Sequence, residues 1–476
     1  MTELKQSIDL LHAIPKADSP AIQSAYEQAL RHFHHKVIVL DDDPTGIQTV
    51  HGVSVFTDWS EESIEAGFRE DNRMFFILTN SRSMTEKETA DAHKTIASTI
   101  VKVAERLHQD FIIVSRGDST LRGHFPLETD VLRSTIEEQS SRTFDGEIIL
   151  PFFQEGGRFT INNIHYVQEG QHLIPAGETE FALDRTFGFK ASHLGEWIEE
   201  KSGGSFTKEN TTYISLDDLR AVRIEQIKNQ LMAVKDFQKV VVNAVDYDDV
   251  KVFVVALIDT IQAGQQLIFR SAAALTKVLG GITDHALLTR NDLIREESPH
   301  GGLIMIGSHV KKTTEQLREL QKNEQLSFIE FNTHLVLEPE AFHQEIERVI
   351  QQTEALLTSG QSVAVYTRRE RLDLGDDRQE EELKLSVQIS DAVTSIVQRL
   401  TIRPKYLIAK GGITSSDIGT RGLSVKRATV AGQIKPGIPV WQTGEDSKFP
   451  FISYVIFPGN VGSKDTLKEA VEILEG

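Results

Sequence analysis

From Val37 onward the chain keeps returning to one pattern: a short apolar run, a polar cluster, then a stretch whose apolar residues fall at helical spacing. Val37–Leu40 breaks into DDDPTG, Met74–Leu78 into TNSRS, Phe111–Val114 into SRGDSTLRGH and Glu147–Leu150 into PFFQEGGR. Short runs rich in β-branched and aromatic residues read as buried strands. Strands alternating with helices predict βαβ units and a parallel sheet. Every strand then delivers its polar cluster to one edge, where open α/β sheets bind their ligands. Thr85 and Glu88 are spaced as a capping box, which starts a helix after the second run.

That shared edge changes the weight of Asp41, Asp42 and Asp43. Alone, they fit a solvated acidic turn that caps a helix as well as they fit a site. Beside Arg82, Arg116, Asp118, Ser119, Arg122 and Arg158, Asp42 and Asp43 help line a site of both signs. Arginine offers a bidentate fork to a carboxylate or phosphate, and Asp, Ser and Asn suit hydroxyls. The implied ligand is a small polyhydroxylated acid. An Arg122–Asp118 pair bracing the loop is compatible with that use.

Between Thr283 and His300 the pattern lapses, and a second series follows. Leu303–Ile306 ends in GSHVKKTTEQL, Ser362–Tyr366 in TRRE, Tyr406–Ala409 in KGGITSSDIG and Ile452–Ile456 in FPGNVGSKDTL. These ends carry Gly, Ser and Lys where the first series has Asp and Arg. Glycine turns that open a helix present backbone N–H groups to phosphate oxygens, and Gly307 with Ser308, Gly411 with Gly412, and Gly459 to Gly462 are such turns. There is no G-x-x-x-x-G-K-[ST], no strand followed by G-x-G-x-x-G, and no protein-kinase motif set. The expected fold is two three-layer α/β domains with largely parallel sheets and the active site in the cleft between them. Residues 1–35 read as a helical extension, 36–285 as the acid-binding domain, 286–300 as a linker and 301–476 as the nucleotide-binding domain. In the extension, Leu10, Leu11 and Ile14, then Ile22, Tyr26 and Leu30, suggest two amphipathic helices.

The charge balance of 51 basic against 70 acidic residues, −19 in all, argues against nucleic acid or anionic lipid as a partner. Zero cysteines exclude disulfides and thiolate chemistry. The N-terminus lacks the basic start and apolar core of a signal peptide, and no run reaches about 18 apolar residues, so a cytoplasmic protein is expected. Asp246, Asp248 and Asp249 read as an acidic surface turn, and His32, His34 and His35 as solvated rather than metal-bound.

The motifs together resemble those of the four-carbon acid sugar kinases. DDPTG (42–46), NSR (80–82), DSTLRG (118–123) and GGR (156–158) are similar to the family's N-domain motifs. GS (307–308), KGGITSSD (410–417), GQIKPGIP (432–439) and PGNVG (458–462) are similar to its nucleotide-domain motifs. The resemblance implies phosphorylation of a small acid such as threonate, erythronate or a 3-oxo-tetronate, using ATP and Mg²⁺. It places Asp42 and Asp43 at the substrate, with Arg82, Asp118, Ser119, Arg122 and Arg158 around them. ATP is expected on the loops carrying Ser308, Gly411, Gly412, Gly459, Asn460 and Gly462. One of Asp42 and Asp43 would orient or deprotonate the acceptor hydroxyl. The extension, Asp41, and Arg116 with His124 depart from the family pattern, which leaves the exact acid open. A two-lobed sugar-acid sensor, or a lyase or dehydrogenase acting on the same acids, are the alternatives. Homo-oligomer formation is compatible with all of them.

Overall fold

The computed structural model describes residues 5–370, 372 and 379–476, the side chains of 379–383 excepted. The chain divides into two compact units, Met1–Thr283 and Asp284–Gly476.

The strands of the first unit are β1 (Gln6–Ser7), β2 (Lys36–Asp41), β3 (Ser54–Phe56), β4 (Met74–Leu78), β5 (Phe111–Arg116), β6 (Gly146–Leu150), β7 (Arg158–Ile161), β8 (Ile164–Glu169), β9 (His172–Pro175), β10 (Thr212–Ile214), β11 (Gln238–Val242) and β12 (Leu267–Ser271). A parallel sheet runs in the order β10-β11-β6-β12-β5-β2-β4-β3. Its register sets Asp41 opposite both Leu78 and Arg116, and Arg116 opposite Ser271, so the strand ends lie level. All six residues of β2 are buried, as expected for a central parallel strand covered on both faces. Ile38, Leu40, Phe75, Ile77 and Ile113 pack with Ile64, Phe68, Ile96, Ile100 and Leu132 of the helices Glu61–Arg69, Glu86–Leu107 and Leu127–Gln139. The Thr85–Glu88 capping box is formed.

The N-terminal segment belongs to this unit. Helix Ser19–Arg31 packs on helix Tyr247–Gln262, burying Ile22 and Tyr26, and the Tyr26 hydroxyl donates to Val278 O at 2.6 Å. Asp9–Ala13 is a single short helix with no buried residue, because Leu10 and Leu11 find no deep contact. Residues 158–175 form an antiparallel sheet β7-β8-β9 that β1 completes. Asp246 and Asp249 make a capping box for helix Tyr247–Gln262, and Arg220 pairs with both.

The second unit holds β13 (Leu303–Ile306), β14 (Ser327–Phe331), β15 (Val363–Thr367), β16 (Leu407–Lys410), β17 (Arg427–Lys435), β18 (Ile438–Thr443) and β19 (Ser453–Phe457). β14-β15-β13-β16-β19 are parallel, and β18 and β17 continue the sheet antiparallel from β19. The GQIKPGIP motif spans the β17–β18 turn. In the segment 286–300, expected as a linker, Arg290–Leu293 is helical, and Leu288, Leu293 and Ile294 are buried in the core with Ile304 and Val455. The segment's polar composition masks those apolar anchors. Among the described residues, no helix is long and apolar enough to cross a membrane.

Candidate active site

β2 ends on Asp41, and the turn that follows brings Asp42 and Asp43 among the neighbouring strand ends. A Cβ on Gly46 would lie 2.1 Å from Asp41 Oδ1, so this turn closes only over a residue without a side chain. Arg116, at the end of β5, bridges two carboxylates: its Nη1 is 3.2 Å from Asp41 Oδ1 and 3.6 Å from Asp42 Oδ1. Arg82 forks onto Asp42, with Nη2 to Oδ1 at 2.6 Å and Nε to Oδ2 at 3.2 Å. Burial pushes the Asp41 carboxyl up to about 8, with Arg116 opposing the shift and the Asp42 charge adding to it.

Asp43 differs from its neighbours. Its Oδ1 accepts from Thr45 N at 2.8 Å and from the Thr45 hydroxyl, an Asx turn that fixes the carboxylate. Its Oδ2 has Arg82 Nη1 at 3.5 Å. The Asp43 side chain is 17% exposed against 2% for Asp42. Asp42 is therefore enclosed by guanidinium, while the Asp43 carboxylate stays partly exposed.

The loop after β5 supplies Asp118, Ser119 and Arg122. Arg122 Nε donates to Asp118 Oδ2 at 2.7 Å, and Thr120 also donates to that oxygen. Burial alone would raise the Asp118 carboxyl, but the Arg122 and Arg82 guanidiniums win and hold it well below the usual carboxylate range. The Ser119 carbonyl is held by His165 Nε2 at 2.8 Å, and His165 Nδ1 lies 3.0 Å from Thr160 Oγ1. The β7–β8 hairpin is thus tied to the loop. Burial pushes His165 down to about 4, so the ring is neutral at ordinary pH and holds the carbonyl by its N–H.

Beneath the loop, Arg270 on β12 donates from Nη1 to Glu128 Oε2 at 2.6 Å and from Nη2 to Arg122 O at 3.1 Å. A Cβ on Gly117 would sit 2.1 Å from the Arg270 guanidinium carbon, so the loop is pressed onto that group. Arg158, at the start of β7, stands apart: its buried Nε has no hydrogen-bond partner, and its guanidinium faces the Phe181 ring 5.9 Å from the centroid.

In the second unit a cavity of about 340 Å³ opens at the ends of β13 and β16. Ser308, Gly411 and Gly412 form one wall, and Leu385, Ile389 and Val393 of helix Gln379–Arg399 another. A polar glycine wall opposite an apolar one suits a nucleotide, phosphates on the first and base on the second. Gly411 adopts φ +125°, a conformation that favours glycine. Lys410 is fully buried. Its Nζ donates to Pro458 O at 2.5 Å and Gly459 O at 3.2 Å and lies 4.0 Å from the Phe457 ring. Burial pushes this amine down to about 6, with Lys312 adding to the shift. Gly459 sits beside Ser308, whereas Asn460 and Gly462 do not line the cavity.

Two family models match the chain. Residues 37–279 match the sugar-binding N-terminal domain, and 303–467 match the nucleotide-binding C-terminal domain. The chain belongs to this two-domain family, with the four-carbon acid sugar kinase architecture. A Haemophilus influenzae protein of the DUF1537 family is similar in fold, with TM-score 0.59 and 17% identity over 92% of this chain and 100% of that one. A Salmonella typhimurium LT2 protein provisionally named a tRNA synthase has TM-score 0.65 and 14% identity over 91% of this chain and 98% of that one. At such identities the likeness is one of fold. No curated protein matches the chain.

Within the sugar-binding domain, Asp42, Asp43, Arg82 and Arg116 form one ion-pair network and Asp118 pairs with Arg122. Arg116 is only 4% exposed, which makes it a brace for Asp41 and Asp42. Sequence reasoning did not place Arg270, Glu128, Phe181, Asp184 or His165 at the site, and gave Lys410 only as the first residue of a motif. Arg270 follows an apolar run, as the other site arginines do, so that pattern carried its signal. Nothing in the local sequence marks Phe181 or Asp184.

Proposed function

We propose that the chain is an ATP-dependent kinase that phosphorylates a hydroxyl of a small, four-carbon-like sugar acid such as threonate, erythronate or a 3-oxo-tetronate. The reading rests on membership of a family that joins a sugar-binding to a nucleotide-binding domain. The observation that supports it best is the partly exposed Asp43 carboxylate, fixed by Thr45 beside the Arg82–Asp42 pair. In this reading Asp43 accepts the proton of the attacking hydroxyl, and Asp42 holds Arg82 in place. Arg158, Arg122 and Ser119 receive the acid and its hydroxyls. The glycine wall at Ser308, Gly411 and Gly412 receives ATP, with Asn460 and the Gly459 and Gly462 turn next to it.

The proposal includes Mg²⁺, which neutralises phosphate charge when bound. Among the described residues no group of three or more His, Cys, Asp or Glu side chains forms a cage for it. The nucleotide's own phosphates would therefore supply most of its ligands. Positioning and charge neutralisation account for most of the rate gain in such transfers. A cytoplasmic location belongs to the same proposal.

The test is ADP release measured by a coupled assay across four- to six-carbon aldonic and 3-oxo acids. Activity on at least one four-carbon acid is expected; silence across the panel overturns the kinase reading. The substitution Asp43→Asn should lower turnover on the order of a hundredfold or more, with ATP binding little changed. A folded Asp43→Asn variant that keeps its turnover would remove Asp43 as the base.

A further inference from the structure

The segment that follows β9 supplies two side chains to the arginines of the acid site. Phe181 lies under both guanidiniums, 5.0 Å from Arg122 and 5.9 Å from Arg158, measured from ring centroid to guanidinium carbon. Asp184 Oδ1 accepts from Thr186 N at 2.9 Å and Phe187 N at 3.0 Å, which fixes the turn. Its Oδ2 points the other way, 3.6 Å from Arg122 Nη1. Arg122 thus faces two carboxylates, Asp118 at 2.7 Å and Asp184 at 3.6 Å. Arg158 has the Phe181 face and a buried Nε without a partner.

The local charges therefore divide unequally. Arg122 is already neutralised, and a ligand carboxylate placed there would meet Asp184. At Arg158 a carboxylate meets a guanidinium that feels only the Asp118 charge shared with Arg122, lies against an aromatic wall and has a buried Nε without a partner. We infer that Asp184 is a specificity-determining residue: by occupying Arg122 it leaves Arg158 as the one seat for a ligand carboxylate, and so selects sugar monoacids over diacids of equal length. Phe181 holds both guanidiniums in that division. The inference rests on the acid-site reading given above and adds the charge class of the ligand.

Threonate and tartrate separate these classes, because they differ at C4, a hydroxymethyl group in one and a carboxylate in the other. Binding is measured by calorimetry and thermal shift without nucleotide, so that the outcome is independent of phosphoryl transfer. The wild-type protein should bind the monoacid more tightly. Asp184→Asn keeps a carbonyl to accept from Thr186 and Phe187 while removing the charge. It should cut the monoacid-to-diacid affinity ratio by about tenfold, as expected for one nearby charge in a half-buried site. Asp184→Ser also caps the turn, and should give the same change if the Asn variant proves unstable. Arg158→Met should weaken both acids together. An unchanged ratio in both Asp184 variants, with wild-type binding intact, overturns the role of Asp184 alone. No binding of any sugar acid by the wild type overturns the acid-site reading and this inference with it.

Discussion

At the carboxyl ends of β2, β5 and β12, buried carboxylates and guanidiniums are laced together: Asp41 and Asp42 with Arg116, Asp42 with Arg82, and Glu128 with Arg270. At the ends of β13 and β16 the wall is backbone and glycine, and the buried Lys410 amine turns to carbonyl oxygens. Both edges are the carboxyl edges of parallel strands, yet they hold their shape by different means. In the first, Asp42 and Glu128 are each held by a guanidinium, so removing one partner strands the other in a medium that solvates it poorly. In the second, shape comes from side chains that are missing. A deletion there does little, and an added methyl group is the disturbance to make.

The largest expected effect tests the first half of that comparison. Arg270→Met leaves Glu128, whose side chain is 2% exposed, with Ser81 and Ser115 as hydrogen-bond donors and no guanidinium. Breaking a buried pair from one side costs about 3–5 kcal/mol. Urea unfolding should show that loss, and acid binding should fall with it because Arg270 also holds the Arg122 carbonyl. A loss below about 1 kcal/mol, the range of exposed pairs, would mean that the network does not brace the loop.

Gly411→Ala tests the second half, at a smaller scale. Holding alanine at φ +125° carries a strain on the order of 1–3 kcal/mol, and the new Cβ would stand 3.0 Å from Ser308 Cβ. Nucleotide affinity, followed by calorimetry, should drop accordingly, while sugar-acid binding stays as in the wild type. Equal losses of both ligands would show that the variant disturbs the fold rather than the glycine wall.

How far these edges could be read in advance follows from the same contrast. The strand β4 was legible to the residue because it is apolar throughout, and β2 and β5 nearly so because an apolar run fills all but their polar end residues. Asp42, Arg82 and Arg116 were legible as neighbours because each sits at a strand end of one parallel sheet. The difference between an enclosed Asp42 and an accessible Asp43 was not, since it depends on where Arg82 points. Glu128 and Arg270 lie 142 residues apart in sequence, and no local pattern announces their pair. Asp184 comes from an irregular loop without periodicity. The β17–β18 hairpin was not anticipated: GQIKPGIP entered only as a motif similar to the family's, whereas the strands on either side of its turn pair antiparallel with register shifts near Gly432.

The last prediction reads a slope, no more than about 1.4 kcal/mol per pH unit for one proton, at one buried group on each edge. Asp41 is pushed up to about 8 by burial, so the folded state favours its protonated form. Its contribution to stability is complete below about pH 4, the ordinary carboxyl value, and is lost as pH rises through 8. Lys410 is pushed down to about 6, so the folded state favours the neutral amine, which still has N–H groups for Pro458 O and Gly459 O. Its contribution is complete above about pH 10.4, the ordinary lysine value, and is lost as pH falls through 6. Urea unfolding across pH measures both as differences from the wild type. The stability of wild type minus Asp41→Asn should fall between about pH 4 and 8, and that of wild type minus Lys410→Met should rise between about pH 6 and 10. Slopes of the same sign would mean that burial does not govern both groups.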